Sequence, residues 1–153
     1  LGVKLFIAAD HAGFELKEHL RASAIPGIDI EWIDLGTDSK DSVHYPDFAA
    51  KLCNRILSTK VGPDRNDPAG VLVCGSGQGV AISANRFKGI RAAVVWRPEI
   101  AALSRSHNGA NVLCLPANWI SRPEALEILR TWLTSRFEGG RHQTRVDLMD
   151  KLG

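Results

Sequence analysis

The segment Cys74-Gly75-Ser76-Gly77-Gln78-Gly79 places a thiol and three glycines together, directly after the apolar run Gly70 to Val73. Glycines so closely spaced let backbone N–H groups converge on an oxyanion at a helix N-terminus. The familiar motifs of this kind do not fit. A dinucleotide fingerprint needs a glycine at position 80, which is Val80, and the Lys-Ser/Thr of a P-loop is missing. A cysteine-dependent phosphatase loop wants an arginine at that same position. A serine-hydrolase elbow fails because Cys74 stands where its first glycine belongs. Cys74 itself remains. The positive end of a helix dipole favours a thiolate, which serves as either a base or a nucleophile. Cys53, on an apolar helical stripe, and Cys114, inside a strand, read instead as small buried hydrophobes.

Three further groupings carry reactive side chains. Asp10-His11-Ala12-Gly13 puts a carboxylate and an imidazole at the end of the first strand, where Asp10 is equally a helix cap. His107-Asn108-Gly109 follows a helix, whose C-terminal dipole favours a protonated imidazole, although capping alone explains the pair. Arg141 and Arg145 lie four residues apart and share a face if the tail is helical. They form either a fork for phosphate or a solvated charged face.

These groups need a scaffold, and the hydrophobic pattern supplies one. Short aliphatic runs at Val3 to Ala8, Ile28 to Ile33, Gly70 to Val73, Arg91 to Val95 and Asn111 to Leu115 read as five strands. Between them, Ala12, Leu16 and Leu20 share a helical face, and Phe48 to Leu57 form a wide apolar stripe. Ile100, Leu103 and His107 line a third helix that Gly109 closes, and Ser121-x-x-Glu124 is a capping box. Nearly all-apolar strands alternating with helices predict a parallel sheet covered on both faces, a doubly wound α/β sandwich with ligands at the carboxyl ends of its strands. Lys60 to Pro68 reads as a polar loop. The tail from Glu138 to Gly153 has too little apolar face to fold alone, so it is expected to pack on a neighbouring subunit.

Composition narrows the function classes. A chain of 153 residues, 44% hydrophobic, fits a single domain (1–153) that needs neither disulfides nor metal to hold it together. Its net charge of +2 is too balanced for a nucleic-acid surface, yet it allows a small anionic ligand. Three cysteines with no C-x-x-C pair point to a reducing cytoplasm and to no zinc knuckle, and no run approaches membrane-span length. The protein is expected to be cytoplasmic, neither exported nor embedded.

Taken together, Ala9-Asp10-His11-Ala12-Gly13-Phe14, Tyr45-Pro46-Asp47-Phe48-Ala49, Cys74 to Gly79, Ala84-Asn85, Gly89-Ile90-Arg91-Ala92, Arg105-Ser106-His107-Asn108, Ala110 to Leu113 and Phe137 to His142 resemble the ribose-5-phosphate isomerase B family, which includes galactose-6-phosphate isomerase subunits. The resemblance spans nearly the whole chain. It implies a Rossmann-like three-layer sandwich, a homodimer or homotetramer with sites built from both subunits, and aldose–ketose isomerisation of a sugar phosphate without metal or cofactor. By position, Cys74 resembles the base that moves a proton between C2 and C1, and Ser76 stands where the family commonly has threonine. Gly75, Gly77, Gln78 and Gly79 resemble the enediolate-binding loop. Asp10 and His107 resemble the ring-opening pair, Asn108 a hydroxyl ligand, and Tyr45 a further substrate contact. His11, Arg141 and Arg145 match phosphate-binding positions. Two residues depart from the pattern: Asn118 replaces a common arginine, and His44 a common aspartate. Both bear on phosphate affinity and sugar length. The readings carried forward are therefore a ribose 5-phosphate isomerase, a same-mechanism isomerase of a four- or six-carbon sugar phosphate, and a non-catalytic sugar-phosphate-binding module.

Overall fold

The computed structural model describes residues 2–62 and 67–153. The expected polar loop at 60–68 lies partly outside them. Strands β1 (Gly2–Ala9), β2 (Asp29–Asp34), β3 (Ala69–Cys74), β4 (Ala92–Val94) and β5 (Val112–Pro116) form one sheet in the order β2-β1-β3-β5-β4. Every pairing is parallel. The helices are α1 (Phe14–Ala22), α2 (Tyr45–Ser58), α3 (Gln78–Ala84), α4 (Pro98–Ser106), α5 (Arg122–Thr134) and α6 (Arg141–Asp150). This is the expected doubly wound α/β sandwich.

The pleat assigns the two faces. Leu5, Ile7, Val71, Val73, Leu113 and Leu115 point toward α1, α4 and α5, where Leu16, Leu20, Ile128 and Trp132 complete one core. Phe6, Ala8, Leu72, Cys74 and Cys114 point the other way, into Leu52, Cys53, Ile56 and Val80 of α2 and α3. Only the central strands β3 and β5 are buried along their whole length. β2, at the edge, alternates exposed and half-buried positions over its first half and buries none of its side chains fully.

Two buried cations tie helices to the sheet. Lys17 of α1, fully buried, donates to both carboxylate oxygens of Asp34 at 2.9 Å, just where β2 ends. Arg105 of α4 lies over the Trp132 ring, 3.9 Å from its centroid, and donates to the carbonyls of Trp132 and Ala110. That second set of bonds fixes the turn ahead of β5. The capping box at Ser121 forms in both directions. α4 ends one residue earlier than its apolar pattern suggests: His107 is its C-cap, and Gly109, with φ of 58°, turns the chain toward β5.

The tail forms a helix, α6, that folds back on its own chain. Of its expected apolar side chains only Val146 is buried, while Leu148, Met149 and Leu152 stay exposed. His142 is buried beside Val146, and Asp150 pairs with Arg91 at 3.4 Å.

Candidate active site

Register brings the first group of predicted residues together. Ala9 pairs with Val73, so Asp10, the next residue along, stands level with Cys74, the last residue of β3. The Asp10 N–H donates to the Val73 carbonyl at 3.2 Å, and one Asp10 carboxylate oxygen accepts from the Gly13 N–H at 3.0 Å. Asp10 thus caps the turn, although the N-cap of α1 is Gly13. The turn is this tight only because residue 13 is glycine, since a Cβ there would run into the Val73 carbonyl. Both Asp10 and Cys74 are buried, at 6% and 5% exposure.

The glycine loop is held from three sides. Gly77 takes a left-handed conformation, φ of 74°, as the N-cap of α3, and Ser76 Oγ accepts from the Gln78 N–H at 3.3 Å. Tyr45, at the start of α2, lays its ring over Gly79. The Asn118 N–H donates to the Gly75 carbonyl at 3.0 Å, and its side-chain amide lies against the open face of Gly75. His11 Nδ1 accepts from the Val43 N–H at 3.2 Å, which leaves Nε2 of the neutral ring as a donor. Asp10, His11, Tyr45, Cys74, Ser76 and the loop therefore share the carboxyl edge of the sheet.

The second group lies elsewhere. His107 and Asn108 follow α4, which runs back to the edge where β5 begins, and the nearby Asn111 carbonyl accepts from the Gly70 N–H at the start of β3. This is the amino edge. The tail joins them there. The Glu138 N–H donates to the Ser106 carbonyl at 3.0 Å, and His142 stacks on His107 with ring centroids 4.2 Å apart and planes 9° from parallel. Arg141 and Arg145 are exposed and form no ion pair among the described residues. A cavity of about 670 Å³ also opens at this edge, beside Lys4, Thr59, Arg105 and Arg136, and none of the predicted residues lines it.

The three thiols are free, and burial separates their chemistry. Burial pushes the Cys53 thiol up to about 12 and raises Cys114 well above the usual thiol range. Both are packing residues. His142 is held below the ordinary histidine value by burial first, then by His107 and Arg141. Its stack on His107 escapes a linear reading, because the partner lies 35 positions earlier; the only local signal is the Glu138 to His142 spacing, four apart.

A family model described as Ribose/Galactose Isomerase matches residues 5–149. The ribose-5-phosphate isomerase B of Escherichia coli is 38% identical over 149 residues, covering 97% of this chain and 95% of that protein. A crystal structure of a ribose 5-phosphate isomerase from Thermotoga maritima is similar with a TM-score of 0.86 at 45% identity, over 98% of this chain and 99% of that one. The ribose-5-phosphate isomerase B of Mycoplasma genitalium, solved with bound ribulose-5-phosphate, gives 0.81 at 36% identity, over 97% and 95%. Fold and relatives together define the class: an α/β isomerase. More particularly, the chain belongs to the Ribose/Galactose Isomerase family.

Proposed function

We propose that this isomerase interconverts ribose 5-phosphate and ribulose 5-phosphate through a cis-enediolate, in sites assembled between two copies of the chain. The observation that carries the reading is the register that sets Asp10 beside Cys74 at the mouth of the glycine loop. Isomerisation needs a base beside an acidic carbon, donors for the oxyanion that develops, and a separate acid–base group to open the sugar ring. Cys74 takes the proton from C2 and returns it to C1. Backbone N–H groups of Gly75 to Gly79 hold the enediolate oxygens, with Ser76 beside them. Asp10 and His107 open the furanose, Asn108 binds a hydroxyl, and Tyr45 walls the pocket over Gly79. The phosphate falls to His11, whose Nε2 is a free donor, and to Arg141 and Arg145, which are exposed and unpaired by any acid among the described residues.

The length of the sheet supports a two-chain site. His107 and Cys74 belong to opposite edges, and β5, which runs between those edges, alone spans about 13 Å. A two-fold copy offers its amino edge to the carboxyl edge of the first. The exposed Leu148, Met149 and Leu152 of α6 give such a partner an apolar surface. Among the described residues no helix is long and apolar enough to cross a membrane, and the unpaired thiols suit a reducing cytoplasm.

Asn118 supports a second reading. Its neutral amide sits against Gly75, in the sequence position where the family commonly carries arginine, which favours an isomerase of the same mechanism acting on a four- or six-carbon sugar phosphate. The deciding experiment is a panel of four-, five- and six-carbon aldose phosphates assayed for ketose, with and without chelator. Ribose 5-phosphate should be fastest, and chelation should not slow it. A better four- or six-carbon substrate selects the second reading. Binding without turnover across the panel leaves a sugar-phosphate-binding module.

A further inference from the structure

At the amino edge, three metal-competent side chains face one another. Nε2 of His107 lies 3.9 Å from one Glu138 carboxylate oxygen, and Nε2 of His142 lies 3.7 Å from the other. One donor atom from each residue falls within 4.8 Å of the other two. These separations are ion-pair distances beyond hydrogen-bond length, so the acid and the two imidazoles converge without a hydrogen bond between them. The scaffold holds them independently: His107 ends α4, His142 is buried in the first turn of α6, and the Glu138 backbone is bonded to Ser106.

We infer that His107, Glu138 and His142 form a binding site for a divalent metal ion of the zinc class, and that its occupancy switches the isomerase off. Two imidazole nitrogens and one carboxylate suit zinc and its first-row neighbours, whereas magnesium and calcium prefer all-oxygen shells. Donors around a tetrahedral ion stand about 3.4 Å apart, from bond lengths of about 2.0 to 2.1 Å. The two imidazole–carboxylate separations need only a small contraction, and the ring stack has to open. His142 is the fixed ligand; the half-exposed His107 ring fans out of the stack so that both lone pairs meet, and the exposed Glu138 follows. The fourth position is left to water. Arg141 and Arg145 oppose a cation here, and the Glu138 charge offsets part of that effect.

The inhibitory consequence rests on the ring-opening role proposed for His107: a ring whose lone pair is on a metal cannot accept a proton. The site itself does not depend on that role, so binding and turnover are read separately. The full chain, stripped of metal, is titrated with Co²⁺ and the visible bands of tetrahedral cobalt are followed, with Zn²⁺ and Mg²⁺ as competitors. The wild type should bind one equivalent, lose it to Zn²⁺ but not to Mg²⁺, and keep its bands in Cys74→Ala. Glu138→Gln and His142→Gln should each weaken binding by about tenfold or more. Glu138 is exposed, so its variant changes no packing if the buried His142 proves intolerant of change. Equal cobalt affinity in Glu138→Gln and wild type, or loss of the bands in Cys74→Ala, overturns the site. In the second arm, Zn²⁺ should inhibit turnover of the preferred aldose phosphate in step with binding, chelator should reverse it, and Glu138→Gln should need about tenfold more zinc. Ligand-dependent binding that leaves turnover untouched overturns the switch and also removes His107 from ring opening.

Discussion

The Tyr45 ring fills the space that a side chain at position 79 would need: a Cβ built on Gly79 would lie 2.5 Å from Tyr45 Cε1. The aromatic ring is thus the lid on the glycine loop. Gly79→Ala must push either the ring or the start of α3 aside, and both line the proposed site. Turnover should fall by about tenfold or more, while stability, read by urea unfolding, drops by about 1 to 3 kcal/mol from overpacking. Wild-type kcat in Gly79→Ala would show that the loop tolerates displacement and does not position the enediolate.

Cys74→Ala should lose turnover by on the order of 10² to 10⁴-fold and still bind substrate, because a general base acts on the barrier more than on ground-state affinity. Mixing provides the sharper check. Neither Cys74→Ala nor His107→Asn should work alone, yet subunits unfolded and refolded together should recover about one quarter of wild-type activity, since half of randomly paired dimers carry one intact composite site of two. No recovery would place both residues in a site made by a single chain.

Arg141→Ala and Arg145→Ala should each raise KM for the phosphorylated sugar, and part of the loss should appear in kcat because a held phosphate orients the reacting carbons. Asn118 supplies no charge, so on the proposed reading this pair has to carry more of the phosphate. Deleting 138–153 should have a larger effect and also weaken the dimer, as sedimentation would report. A truncated protein that stays dimeric with its KM intact shifts the phosphate site toward His11 and Arg97.

Acid should release the tail. Burial, His107 and the two arginines depress His142 below its ordinary value of 6.5, against the opposing pull of Glu138. The unfolded chain therefore binds the proton more readily, and the contribution is fully present above pH 6.5 and fades as pH falls through the folded value. Hydrogen exchange of α6 amides, corrected for intrinsic rates, should accelerate over that range and lose its pH dependence in His142→Gln. Flat protection across the range would sink the idea.

What the chain discloses before folding depends on how local the information is. All five strands are legible as short runs rich in aliphatic residues, clearest in the buried β3 and β5, and the end of β1 carries its chemistry in the next residue, as β3 does in its last. The short helix α3 buries Val80, Ala81 and Ala84, too brief a stripe to stand out in the chain, and it is inferred from the glycines ahead of it. β5 lying between β3 and β4 is invisible, since no local pattern records which strand a returning chain joins. The same limit hides the separation of His107 from Cys74. Both sit at element ends, and only the direction of α4 decides which edge receives the imidazole.

That separation couples ligand to assembly. If one face of the sugar is handled at the carboxyl edge of one chain and its phosphate and ring oxygen at the amino edge of another, the free subunit has only half a binding surface. Substrate then binds the dimer and not the monomer, and mass action makes it a cement: at a concentration a hundred times its dissociation constant, each occupied site stabilises the pair by about 2.7 kcal/mol. Enzyme diluted in buffer should fade as subunits part, while enzyme diluted into sugar phosphate should persist, so apparent specific activity would depend on which of the two was added to the tube first.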